Sequence, residues 1–283
     1  MNNIIDIISC MVRKWITNIF IFIFPIVFIS RYQILLINIS LAFPEITIKQ
    51  KKRLIRQTLR SNIFSTLSIF TIWSASENHF KNNFTITGLD HLHSTVAMNK
   101  PILILIPHMA HIEHIGAGLS HFVPYPLYVT YKPAHSKLMN SIIVYFRKKY
   151  YKEIIAVQNM HRCVSLLRKN KILIFNPDHG IRERKSANNY PFMNIPIAQW
   201  DTHLRLQKLT GAVMLPVLGV RLGLSDRIHI MVQPPITIDF SSATIDDQIH
   251  QSIQYVEKNI AYAPNQYLWI HRRFKNSARY YNP

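Results

Sequence analysis

One run constrains the fold more than any other stretch of this chain. Pro101 to Pro107 reads PILILIP, an unbroken apolar run closed by proline at both ends. A strand with one wet face alternates apolar and polar residues, whereas a strand covered on both faces is apolar throughout. The run therefore predicts a strand deep inside a sheet with helices on both sides. A second run, Ile172 to Asn176 (ILIFN), has the same character. Further strands are expected at Phe84–Gly88, Leu127–Tyr131, Ala212–Leu218 and Ile228–Val232. Helical spacing predicts helices over Lys51–His79, His111–Phe122, Ser136–Tyr151, Cys163–Asn170, Ala198–Thr210 and Asp246–Ala261. Strands alternating with helices give an α/β fold.

The N-terminal segment differs in kind. Trp15 to Phe43 carries one charge, Arg31. A bilayer core needs about 20 apolar residues in a helix, so the segment spans only if Arg31 snorkels to an interface; the alternative is a helix lying in the interface plane. A buried core helix is a third reading. A cleaved signal peptide is disfavoured because no small-residue cleavage site follows the apolar run. The basic stretch Lys49 to Arg60 (KQKKRLIRQTLR) suits the cytoplasmic side and anionic headgroups. The chain is accordingly divided into an N-terminal membrane anchor, 1–45, and a domain, 46–283.

Lys and Arg number 33 against 14 acidic residues, a formal net charge of +19. Such a field attracts polyanions without choosing among them. Nucleic-acid binding is disfavoured, because no recognition motif is present and the basic residues are not confined to one helix. With 7 glycines in the chain and no phosphate-binding loop, a nucleotide site is not supported. The 2 cysteines, Cys10 and Cys163, lack disulfide or zinc-knuckle spacing.

The richest chemistry follows PILILIP directly: His108-Met109-Ala110-His111-Ile112-Glu113-His114. Ligands gather at the carboxyl ends of strands in open α/β sheets. A metal site is disfavoured, since neither HExxH nor HxxEH is present. A His108–Glu113 dyad is the second reading. On an unbroken helix the two would point about 140° apart, so they meet only if His108 sits in the loop and Glu113 in the following turn. Glu113 would then hold one ring nitrogen while the other takes a proton. A hydrogen-bonded loop histidine without catalytic work is equally compatible with these residues alone.

The order of several further blocks bears on that choice. H-x4-E after a buried strand resembles the H-x4-D/E motif of glycerolipid-type acyltransferases. The wider pattern is similar to the bacterial lipid A late acyltransferases, the lauroyl and myristoyl transferase family. INISLAFPE (Ile37 to Glu45) resembles that family's block after the membrane segment. YKP (Tyr131 to Pro133), NPDHG (Asn176 to Gly180), NNYPFMNIP, GAVMLPV and QPPI follow in order. PNQYLWIHRRFK (Pro264 to Lys275) closes the set and is the most specific.

The resemblance implies a mixed, mostly parallel sheet flanked by helices, behind an N-terminal membrane helix at the bacterial inner membrane with the domain on its cytoplasmic face. It implies acyl transfer from an acyl-carrier-protein thioester to a hydroxyl of a lipid A precursor, with no cofactor or metal. His108 would be the general base and Glu113 its orienter. Lys132, Arg147, Arg162, Arg272 and Arg273 become candidates for binding phosphates or acidic sugars. Asp178 becomes a residue that orients a base or an arginine. The expected partners are the carrier protein, the precursor and anionic inner-membrane lipid, with no nucleic acid. Three departures from the family pattern stand out: Ala110-His111-Ile112 in place of Gly-Asn-Trp, Lys132 in place of arginine, and Gly180 where an acid is common. They leave room for a degenerate member that binds lipid or carrier protein without catalysis, or one specialised for another glycolipid or a secondary metabolite.

Overall fold

The computed structural model describes residues 2–178, 190–198, 201–236, 244–274 and 281. Helices α1 (Asn2–Val27), α2 (Ile29–Ala42), α3 (Ile48–Leu67), α4 (Ile69–Trp73) and α5 (Glu77–Asn83) come first. They lead into β1 (Phe84–Thr87), α6 (Leu89–Ala97), β2 (Ile102–Leu105), α7 (Ile112–Phe122), β3 (Leu127–Tyr131), α8 (Lys137–Arg147) and β4 (Glu153–Ala156). Then follow α9 (Met160–Leu167), β5 (Ile172–Phe175), β6 (Tyr190–Phe192), β7 (Ile195–Ile197), α10 (Thr202–Thr210), β8 (Val213–Arg221), β9 (Ile228–Val232) and α11 (Ile245–Tyr262).

The main sheet has 7 strands in the order β1-β9-β8-β2-β5-β3-β4. Every neighbouring pair is parallel except β8–β9. The PILILIP run becomes β2, near the middle, with Ile102 to Leu105 all buried. Its neighbours are β5, the ILIFN run, and the first half of β8. Past Pro216, β8 leaves β2 and pairs antiparallel with β9. The expected mostly parallel α/β sheet is thus present, and its centre is the stretch with the least polar sequence.

Helix α7 lies unusually close to this sheet. A Cβ on Gly219 of β8 would meet the Ile115 side chain at 2.3 Å, and one on Gly118 would meet Phe84 at 2.6 Å. These glycines let the helix backbone approach, and that approach fixes where the first turn of α7, with Glu113, is held.

Two expected helices are subdivided. The Lys51–His79 pattern resolves into α3, α4 and α5; Ser68 bonds back to the Phe64 carbonyl at the first break. Helix α3 starts earlier than expected, at a capping box between Thr47 and Gln50. The apolar N-terminal segment begins before Trp15 and is broken at Phe28, whose backbone (φ −113°, ψ 47°) is not helical. Pro25, one turn earlier, has no amide hydrogen to give the helix. Within α1, Asp6–Val27 is long and apolar enough to cross a membrane. Both N-terminal helices pack on α3.

Candidate active site

Strand pairing assembles the site. In the parallel ladder between β2 and β5, Leu105 sits beside Phe175. His108 and Asp178 stand at equal distance past those partners, so the register carries them out of the sheet side by side. The ladder continues through Ile106 N–H to the Phe175 carbonyl (3.1 Å), and Asn176 returns a hydrogen bond to the Ile106 carbonyl (2.7 Å). On the other side of β5, β3 delivers Tyr131 and Lys132 to the same edge of the sheet.

His108 Nδ1 lies 2.6 Å from Asp178 Oδ1, and the His108 backbone N–H donates to Oδ2 at 3.0 Å. The Tyr267 hydroxyl donates to the same Oδ2 at 2.9 Å. The Asp178 side chain is wholly buried, while His108 keeps 22% of its surface exposed. Burial alone would raise the pKa of Asp178. The adjacent His108 charge and hydrogen bonds, with Arg273 behind them, outweigh burial and hold the carboxyl well below the usual range. An ionised carboxylate only accepts, so Nδ1 carries a proton, and in the neutral imidazole the lone pair is then on Nε2. Tyr267, buried beside that anion, is pushed far above the ordinary phenol value and stays a donor.

The segment after α11 clamps the histidine from outside the sheet. Leu268 N–H donates to the His108 carbonyl (3.0 Å), and Ala110 N–H to the Gln266 carbonyl (2.8 Å). The Gln266 amide pairs with the Arg221 backbone, accepting at 2.9 Å and donating at 2.9 Å. Trp269 is fully buried and donates from Nε1 to the Pro264 carbonyl. The PNQYLW stretch is therefore a brace for the strand-tip loop.

The Glu113 carboxylate, expected to hold His108, is bonded to Arg147, and the carboxylate on His108 Nδ1 is that of Asp178. Glu113 forms an ion pair with Arg147 at the end of α8: Arg147 Nε donates to Oε2 at 3.2 Å, and Nη2 to Oε1. Each side chain is 19% exposed. Burial opposes the Arg147 charge, but the paired carboxylate more than offsets it and makes the guanidinium more basic than usual. The sequence spacing suggested a His–Glu contact because both residues flank one break. Strand register supplied a different carboxylate.

His108, Glu113, Lys132 and Arg147 all line one cavity of about 270 Å³. Ile112, Val129, Ile143, Val157, Ile174 and Phe175 give it mostly apolar walls, and His271 joins the lining. The remaining predicted residues are distributed differently. Arg273 is buried and stacks over the Phe192 ring at 4.2 Å, behind Asp178. Arg162 is outside the cavity lining and pairs through Nε (2.8 Å) and Nη2 (2.6 Å) with Glu153 on the edge strand β4. Arg272 is exposed and lies over the Tyr281 ring, also outside the lining. His179 and Gly180 lie outside the described residues.

The other histidines of the motif turn away from His108. His111 is buried and its Nε2 lies 3.0 Å from the Gly219 carbonyl; burial and then the Arg221 charge lower it to about 3. His114 is buried under the same influences and lowered well below its ordinary value. Both are neutral interior residues. Of the three positions that depart from the family pattern beside Glu113, Ile112 alone reaches the cavity wall. Tyr267 and His271 were not anticipated from the sequence, although both lie in its most specific block.

Comparison with known proteins gives a consistent set. The family model for the bacterial lipid A biosynthesis acyltransferase matches residues 2–276. The lipid A biosynthesis palmitoleoyltransferase of Escherichia coli (strain K12) is 27% identical over 243 residues, covering 84% of this chain and 76% of that protein. The lipid A biosynthesis lauroyltransferase of the same organism is 23% identical over 244 residues, covering 84% and 77%.

Proposed function

The chain belongs to the bacterial lipid A biosynthesis acyltransferase family and is an acyl-transferring enzyme; from that premise we propose that it moves a fatty acyl chain from an acyl-carrier-protein thioester to a hydroxyl of a lipid A precursor, with His108 as general base. The observation that carries the reading is the imidazole at the cavity wall whose Nδ1 is committed to a buried carboxylate. That arrangement selects the tautomer with a basic Nε2 and stabilises the imidazolium that forms when it takes a proton.

The steps then balance. Nε2 removes the acceptor hydroxyl proton as that oxygen bonds to the thioester carbonyl carbon. The carbonyl becomes an oxyanion, and the cavity cations Lys132 and Arg147 supply positive potential for it. Collapse breaks the carbon–sulfur bond, and His108 returns its proton to the departing thiolate. Glu113 acts in this scheme by holding Arg147 at the cavity wall. The apolar walls receive the acyl chain, and Arg273 strengthens the hold on Asp178. No step needs a metal or nucleotide.

The acidic carrier protein and the phosphorylated acceptor both suit the +19 net charge. Residues 1–45 serve as the anchor and 46–283 as the catalytic domain, placed at the cytoplasmic face of the inner membrane by the basic stretch that follows α2. The test is incubation of purified protein with acyl-carrier thioesters and lipid A precursors, with products read by mass spectrometry. Wild type should form an O-acylated product. His108→Ala should lose about 10³-fold or more in rate, within the span general-base residues contribute, while its thermal unfolding stays close to wild type. A folded His108→Ala protein that kept most of its rate would remove the mechanism.

A further inference from the structure

The N-terminal helix is built into the domain along one side and bare along the other. Cys10 Sγ lies 3.9 Å from the Leu224 carbonyl in the β8–β9 turn. One helical turn on, Arg13 donates from Nη2 to Asp226 (2.6 Å) and from Nη1 to Thr71 (2.6 Å), with its guanidinium over the Phe64 ring. Thr17 and Ile21 continue the same buried stripe. Both partners of the Arg13–Asp226 bridge are 7% exposed. The opposite stripe, Ile8, Met11, Trp15, Ile19, Phe22 and Ile26, is exposed throughout, reaching 78% at Ile26. Residues that recur every three to four positions lie on one face of a helix.

This geometry conflicts with a solitary span. The docked stretch from Cys10 to Ile21 covers about 18 Å of helix, and the part beyond it to Val27 about 9 Å, at roughly 1.5 Å per residue. A bilayer core is about 30 Å thick. Crossing it would require pulling Arg13 off Asp226 and carrying a lone charge into lipid. Helix α2 is docked as firmly. Asn38 is buried and donates to the Trp269 (2.6 Å) and His271 (2.7 Å) carbonyls, in the brace of the active site.

We propose that α1 lies in the plane of the cytoplasmic leaflet as a fixed part of the enzyme, its bare apolar stripe immersed in anionic phospholipid. The charges suit that occupant: Lys14, Arg31, Lys49, Lys52, Arg53 and Arg56 are exposed beside the stripe or on the adjoining helices, where headgroup phosphates lie. Because the brace is bonded to α2, the cavity is held at a set height above the lipid. The proposal rests on the membrane reading given above and specifies its geometry.

The test uses the full chain with Cys10→Ala. A cysteine is placed by Asn3→Cys for labelling with a membrane-impermeant maleimide in spheroplasts and in inverted vesicles. Nitroxide depth is then read separately at Ile8→Cys, Trp15→Cys and Phe22→Cys, in vesicles of phosphatidylethanolamine and phosphatidylglycerol. Retained transferase activity marks each variant as folded. The expected result is labelling of Asn3→Cys in inverted vesicles only, with the three nitroxides at one common shallow depth. Labelling from outside with depth graded along the helix overturns the inference and leaves membrane association standing. Nitroxides close to their counterparts on a second chain and out of reach of lipid overturn it in favour of a dimer. A protein that never partitions to the vesicles removes the membrane reading as well.

Discussion

The two carboxylates of the cavity region, Asp178 and Glu113, are held in opposite ways. Asp178 is wholly buried at the tip of a central strand and takes hydrogen bonds from His108 and Tyr267. Glu113 stands in the first turn of a helix, part-exposed, and answers one arginine from the end of another helix. The first pair is set by the buried ladder between β2 and β5. The second is set by how closely α7 and α8 pack. The first therefore suits a proton-transfer step that needs a fixed tautomer, and the second suits a charge that must meet a substrate.

Breaking the strand-tip pair should have the larger effect. Asp178→Asn should cut acyl transfer on the order of 10³-fold, because an amide can no longer enforce the basic Nε2 tautomer; single-turnover transfer rates check this. The same substitution should change acid stability. Asp178 is held below its unfolded value, so its stabilisation is complete above about pH 4, where the unfolded carboxyl is ionised, and is lost as pH falls through the folded value. Thermal unfolding of Asp178→Asn should therefore decline less steeply than wild type below that pH, starting from a lower melting temperature.

The helix pair comes next. Glu113→Gln strands a largely buried guanidinium and should cost about 1–3 kcal/mol in denaturant unfolding, in the range for a charged group left without its partner. If Glu113 acts through Arg147, then Glu113→Gln/Arg147→Gln should transfer no more slowly than the worse of its single variants. Arg162 gives the smallest effect. Its pairing with Glu153 is a surface contact away from the cavity, and Arg162→Ala should leave the transfer rate at the wild-type level.

The sheet was legible because its central strands are apolar on both faces and closed by proline or turn residues. PILILIP, ILIFN and the LYVTY run each became the strand expected. Elements without that contrast escaped. Strand β4 is a short edge carrying Glu153, and β6 and β7 are three-residue strands each holding a proline. Helix α6 begins at Gly88 in a left-handed conformation, without a side-chain cap to announce it. The site was half legible. His108, Glu113, Lys132 and Arg147 meet at one cavity because strand ends and helix starts are visible as pattern breaks. Spacing along the chain points to Glu113 as the partner of His108 because it reports neighbours along the chain, whereas the carboxylate bonded to Nδ1 is Asp178. The signal that would have found Asp178 was its equal offset from a second buried run, readable only once the parallel pairing of those runs is assumed. Arg162 and Arg272 were chosen for charge type, which says nothing about the face a helix or loop turns to the cavity.

The pairing itself is open to direct measurement by double-mutant cycles on unfolding free energy. His108→Ala combined with Asp178→Asn should show a coupling of about 1 kcal/mol or more, as for residues in one hydrogen-bonded unit, whereas His108→Ala with Glu113→Gln should stay within about 0.5 kcal/mol of additivity. Strong coupling of His108 to Glu113, with none to Asp178, would contradict the account.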